Sequence, residues 1–141
     1  MRRLPLLFAA LALVGMLAAC GGSSGGSNDE AQIESAYETF FSPKTSLSGR
    51  VAVLQDGARF KPVIQSFASN PLAQSVTVTV PSVTLRGANK ADVVYVIKFA
   101  GSALPKQNGT AVRQNGTWKV GYAGLCKLVA LQGSTPSACK S

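Results

Sequence analysis

From Ile33 to Phe41 the apolar residues return every three or four positions, as Ile33, Ala36, Tyr37, Phe40 and Phe41. That is the spacing of one face of a helix. Ser27 and Glu30 ahead of it have capping-box spacing, and Asp29 and Glu30 suit the positive end of a helix dipole. Ser42-Pro43 stops the run. Thr45 or Ser46 is a candidate cap for a second, shorter helix to about Gln55, with Val51 and Leu54 facing inward, ended by Asp56-Gly57. Arg59 to Ser69 reads as a third, with Phe60, Val63, Ile64 and Phe67 on one face. Pro62 is tolerated there because it falls in the first turn.

After Asn70-Pro71 the period shortens to two. Val76, Val78 and Val80 alternate with Thr77 and Thr79, Pro81 marks an edge strand or a bulge, and Val83 and Leu85 resume the alternation. A turn at 86–89 leads to the strongest strand, 92–99. There Val93, Tyr95, Ile97 and Phe99 share one face, and Asp92, Val94, Val96 and Lys98 the other. Asn115-Gly116 marks a hairpin between 110–114 and 117–122. A two-residue loop would set Arg113 opposite Trp118 on the buried face, at the cost of an unpaired charge. The expectation is therefore a three-residue loop, with Gly116 left-handed and Val112 opposite Trp118. Arg113, Thr117 and Lys119 then face out. Leu125, Leu128, Val129 and Leu131 read as a last strand. Helices followed by strands make an α+β order.

The N-terminus has a different pattern: Arg2 and Arg3, an apolar run from Leu4 to Val14, then Gly15-Met16-Leu17-Ala18-Ala19. This is the layout of an export signal. Leu17-Ala18-Ala19-Cys20 resembles the lipobox of bacterial lipoproteins. The resemblance implies a diacylglyceryl thioether on Cys20, cleavage before it, and residence at the outer face of the cell membrane. Two alternatives stand beside it, a membrane-spanning anchor and ordinary cleavage with Cys20 unmodified. Against the first, the apolar stretch from Leu4 to Ala19 is about 16 residues where a span needs roughly 20. Three segments follow: a signal at 1–19, a lipidated cysteine with a Gly/Ser tether at 20–28, and a single domain at 29–141.

Charge and cysteines narrow the partners. Fourteen Lys and Arg, less Arg2 and Arg3, oppose six Asp and Glu, so the exported chain is strongly basic. Acidic headgroups or wall polymers would attract it. Nucleic acid is a poor partner outside the cell, and no aromatic–basic RNA motif is present. With Cys20 assigned to lipid, Cys126 and Cys139 remain, and an exported chain favours pairing them. They do not suggest a metal site, because there is no histidine and two thiolates alone do not hold zinc.

The helix-then-strand order resembles the cone fold of cystatin-like and nuclear-transport-factor-2-like proteins, in which N-terminal helices pack on a curved antiparallel sheet. The stretches Leu54-Gln55-Asp56-Gly57-Ala58-Arg59-Phe60-Lys61-Pro62-Val63-Ile64, Asn108-Gly109-Thr110-Ala111-Val112 and Gly116-Thr117-Trp118-Lys119-Val120 are similar to the mycobacterial low-molecular-weight antigen family. So is the run from Cys126-Lys127-Leu128-Val129 through Pro136 to Cys139. That resemblance implies an exported domain without a known reaction. A lipobox departs from the secreted antigen and implies retention at the membrane.

Some cone-fold proteins are isomerases or cyclases, with a carboxylate base and a tyrosine donor in the cone. The residues to weigh are Tyr37, Tyr95, Tyr122, Asp56 and Asp92. Asp56 reads as a turn residue and Asp92 as the polar start of a strand, and no nucleophile has a histidine to activate it. The expectation is a non-enzymatic domain without cofactor or metal, acting on a cell-envelope protein, with the Val94/Val96 sheet face beside Lys98 as its surface. The alternative is an apolar or lipid-like ligand in a cavity lined by Tyr37, Phe40, Tyr95 and Trp118.

Overall fold

The computed structural model describes residues 25–140, so the signal, Cys20 and most of the Gly/Ser stretch lie outside the described residues. Helix α1 runs Gly25–Phe41 and begins inside the Gly/Ser stretch, ahead of the Ser27 start that capping predicts. Its buried residues are Ile33, Ala36, Tyr37, Phe40 and Phe41, the face given by the periodicity.

Helix α2, Leu47–Val53, is capped by Ser46, whose hydroxyl accepts from the Gly49 amide. Leu54 then leaves the helix and forms a parallel bridge with Val120. A 3₁₀ turn at Gly57–Phe60 leads into α3, Lys61–Ala68, with Pro62 in its first turn as expected. A second 3₁₀ turn, Pro71–Ser75, starts where the Asn70 side chain accepts from the Leu72 amide.

One antiparallel sheet follows, in the order β1 (Val76–Leu85), β2 (Lys90–Phe99), β4 (Gln107–Gln114), β5 (Thr117–Val120). The two-residue β3 (Ser102–Ala103) pairs with β2 beside this path. The β1–β2 register shifts between Thr79 and Ser82, so β1 is an edge strand that bulges around Pro81. The missing N–H of proline makes both features natural there. Helix α1 packs on β1 and on β5, the two ends of the strand order. A helix can touch both edges only if the sheet curls round it. The α+β fold is therefore a half-barrel cone wrapped on α1.

Two sequence expectations fail. The first is the hairpin register. Arg113 pairs with Trp118 and Gln114 with Thr117, so the loop has two residues, with φ of 53° at Asn115 and 76° at Gly116. Left-handed backbone at both loop positions suits the right-handed twist of a hairpin, and Asn-Gly adopts it readily. The objection to Arg113 opposite Trp118 falls away because the side chain is only half-buried, 31% exposed, and its charge has partners. Its Nη2 donates to Asp29 Oδ1 at 2.6 Å, and its guanidinium lies 4.9 Å from the centre of the Trp118 ring. Asp29 comes from a helix 84 residues earlier, which no local pattern could supply.

The second is the last strand. Residues 122–130 form helix α4, Tyr122–Ala130. Gly124, Leu125 and Val129 are its buried positions, a four-residue spacing that fits a helix better than a strand. The tail ends in a 3₁₀ turn, Ser137–Cys139, held by a Cys126–Cys139 disulfide with Cα atoms 5.7 Å apart. This is the expected pairing.

Candidate functional site

The interior of the cone is aromatic. Tyr37 lies 5.1 Å from Tyr95 between ring centres, Phe41 5.8 Å from Tyr95, and Phe40 5.2 Å from Phe41 at nearly a right angle. These are offset or edge-on contacts that add to simple burial. The Tyr37 hydroxyl donates to the Thr110 carbonyl at 2.7 Å. Gly109 lets β4 cross these rings, since a Cβ there would stand 2.5 Å from the Tyr37 hydroxyl and 2.9 Å from a Tyr95 ring carbon. Only glycine permits so close an approach.

Burial pushes the Tyr37 hydroxyl far above its usual range. Neighbouring Tyr95 adds to the effect, and the bond to Thr110 opposes it. Burial also raises Tyr95. Both phenols stay neutral at neutral pH and can donate a hydrogen bond, but neither can act as a base.

Among the described residues, the main grooves do not bring together the four residues expected to line a cavity. Tyr37, Phe40 and Tyr95 are buried against aromatic neighbours. Trp118 borders a separate groove of about 350 Å³ with Ala31, Gln32, Ser35 and Val53. The physical reason is that α1 brings its own rings into the space a ligand would need. The acid and base candidates also part company. Asp92 pairs with Arg86 at 2.7 Å on the surface. Asp56 has a left-handed φ of 52° and accepts from Gln114 Nε2, while Gln114 Oε1 accepts from the Asp56 amide. It is the turn residue expected. Tyr122 stacks on Phe60 at 5.2 Å, with Arg59 5.0 Å from its ring centre.

Arg50 escaped the sequence reading. It is only 3% exposed, and its Nη2 donates to the Ser42 carbonyl at 2.8 Å, just past the end of α1. Burial lowers its pKa, and its Nε and Nη1 have no acceptor among the described residues. The signal was available: Leu47, Arg50, Val51 and Leu54 share one helical face, so the position is an inward one. Its positive charge sits at the negative end of the α1 dipole.

Around this filled body lie shallow surface grooves. One of about 320 Å³ sits between β2, β4 and the start of α4, lined by Asp92, Val94, Asn108, Gly109, Gly124 and Lys127 among others. It takes in Val94 of the sheet face expected to meet a partner. A second, also about 320 Å³, separates α3 from the tail and is lined by Pro62, Val63, Phe67, Val129, Gln132 and Pro136 among others. Two exposed leucines adjoin its lining in sequence: Leu72, 63% exposed, and Leu131, 82% exposed. Among the described residues no helix is long and apolar enough to cross a membrane, and no cluster of three metal-ligating side chains forms.

Comparison with curated proteins finds no match. The family model for the C-terminal domain of low molecular weight antigen MTB12 matches residues 27–136. That span takes in all but the first two residues of α1, the whole curled sheet, α4 and the first part of the disulfide-closed tail, and on it the chain belongs to the family of the MTB12 low molecular weight antigen C-terminal domain.

Proposed function

We propose that the chain is an exported, lipid-anchored domain that works without catalysis, by binding a protein or other component of the cell envelope at its surface. The observation that carries the binding half is the dispersal of its chemistry. Asp92, Asp56, Tyr37 and Tyr95 are each engaged in a separate structural contact or packed in the core. General acid–base work needs such groups converged on one substrate. Membership of an antigen family whose description names no reaction is compatible with this. The aromatic packing favours a surface partner over an apolar ligand in the cone.

The anchoring half rests on Leu17-Ala18-Ala19-Cys20. Two or three acyl chains on Cys20 would hold the domain at the outer face of the membrane, where one chain would bind only marginally. The test follows a fatty-acid analogue and cell fractionation. Wild-type protein takes up the label and stays with membranes, and Cys20→Ala loses both. Label retained by Cys20→Ala refutes the anchor. Turnover abolished by Asp92→Asn or Tyr95→Phe in a folded protein refutes the non-catalytic reading.

A further inference from the structure

The first strand of the sheet has an open outer edge. Strand β1 ends the strand order, and β2 is the strand that pairs with it. The Ala100 amide donates to the Ser75 carbonyl, so Ser75 faces the β2 side. Alternate residues of an antiparallel ladder face the same way, which turns Thr77 and Thr79 toward β2 as well. Val76, Val78 and Val80 therefore direct their N–H and C=O groups outward, where no strand among the described residues meets them. The run ends at the bulge, where Pro81 has no N–H to offer.

A row of unpaired backbone groups is a template for another strand. Edges are often guarded by lysine, yet residues 62–85 contain no charged side chain. Thr77 and Thr79 are exposed on the outer face of β1, while Val76 and Val78 are buried on the face that α1 covers.

Charge on α1 narrows the occupant. Gln32, Ala36 and Thr39 border a groove with Thr117 and Trp118, so that flank of α1 lies toward β5. At 3.6 residues per turn, Glu30 and Glu34 fall on the opposite flank. Helix α1 packs on both ends of the strand order, so this opposite flank is the β1 side. Both glutamates are exposed, and neither has a basic side chain in salt-bridge reach among the described residues. A second copy fits badly. Antiparallel pairing of two β1 edges would bring the glutamates of both α1 helices to one seam, where like charges repel.

We propose that the open edge of β1 takes up an extended segment of a partner polypeptide, which pairs with Val76, Val78 and Val80 and carries Lys or Arg at alternate positions toward Glu30 and Glu34. This site rests on the binding-domain reading above and gives it a surface and a partner class.

The test uses the full chain as an exporting bacterial host produces it, in neutral phosphatidylcholine nanodiscs. The probes are fluorescein-labelled synthetic peptides of alternating Lys and Val, the same peptides with Glu for Lys, and Lys peptides N-methylated at every central amide. The unmodified Lys peptides bind. The Glu peptides and the N-methylated Lys peptides bind at least about tenfold more weakly, the first for want of charge and the second for want of N–H donors. The double variant Glu30→Gln/Glu34→Gln weakens binding of the Lys peptides about fivefold, as the loss of two exposed ion pairs should. Its melting temperature stays at the wild-type value. Bound Lys peptide slows hydrogen exchange at the Val78 and Val80 amides, read by NMR.

Equal affinity for N-methylated and unmodified Lys peptides reduces the contact to charge and overturns the strand pairing. Equal affinity for Glu and Lys peptides, or no binding by any of them, also overturns the proposal. Exchange protection confined to β4 or α4 moves the partner off this edge and leaves the binding-domain reading intact. Sedimentation showing wild-type dimers with Val78 and Val80 protected assigns the edge to a second copy, which overturns the polypeptide partner.

Discussion

The cone body and the α3–α4 cap are held together in different ways. In the body, α1 and the sheet meet through aromatic rings, the Tyr37–Thr110 hydrogen bond and the Asp29–Arg113 ion pair. Helix α1 carries Asp29, Glu30, Glu34 and Glu38 and no basic residue. The cap, residues 57–75 and 121–140, carries Arg59, Lys61, Lys127 and Lys140 and no acid, closes its tail with a disulfide, and bears the exposed Leu72 and Leu131. Both regions reach the shared core, the cap through Phe60, Ile64, Leu125 and Val129. Beyond that core the cap's tail is closed by a covalent link, and Leu131 beside it stays uncovered. The contrast teaches where to seek a partner: at groups, in either region, that the fold leaves unsatisfied.

The sharpest way to break the contrast is to attack the body. Tyr37→Ala removes a fully buried ring and its hydrogen bond. It should cost about 3–5 kcal/mol, the range for large aromatic truncations in cores. Denaturant unfolding measures it, and a loss below about 1 kcal/mol would show a body looser than its ring contacts imply.

Next comes the staple of the cap. Replacing Cys126 and Cys139 by serine should cost about 3 kcal/mol by the chain-entropy argument for a loop of this length. Hydrogen exchange should show that loss in residues 121–140 first, with α1 and β2 protected longest. Uniform loss across the chain would mean that body and cap form a single cooperative unit.

The buried phenols add a pH dependence confined to the body. Both Tyr37 and Tyr95 have raised folded-state pKa values, so the folded chain keeps protons that the unfolded chain gives up. Their contribution is fully present below the unfolded tyrosine pKa of about 10 and falls as pH rises beyond it. Each would cost at most about 1.4 kcal/mol per pH unit in that window. Alkaline melting curves check this. Tyr95→Phe should flatten the decline, because phenylalanine has no proton to lose.

The smallest effect belongs to the cap surface. Leu131→Ser should change stability by less than about 0.5 kcal/mol, as exposed substitutions do. A large loss would show Leu131 serving the fold, and the contrast between body and cap would weaken.

Much of this architecture was legible because it is periodic. The α1 face, the Ser46 cap, the bulge at Pro81 and the inward row Val93–Tyr95–Ile97 depend on neighbours within a few residues. So does the turn role of Asp56. Helix α4 was misread because a short apolar run suits a buried strand as well as a helix. Its Gly124, Leu125 and Val129 spacing was the overlooked cue. Arg50 was passed over because an arginine on an inward face breaks the apolar rule that marks the core.

The amino-acid sequence by itself determined the α+β order, the Cys126–Cys139 pairing in an exported chain and the family. These follow from local periodicity, cysteine usage and matching stretches. Only the tertiary structure decided the register of the β4–β5 hairpin, because the group that pairs with the half-buried Arg113 is Asp29, 84 residues away on α1. It alone decided that the cone is filled, because α1 supplies the rings that pack against Tyr95. And it alone set the tail against α3 to form a groove, since contacts between segments distant in sequence leave no trace in the period of either one.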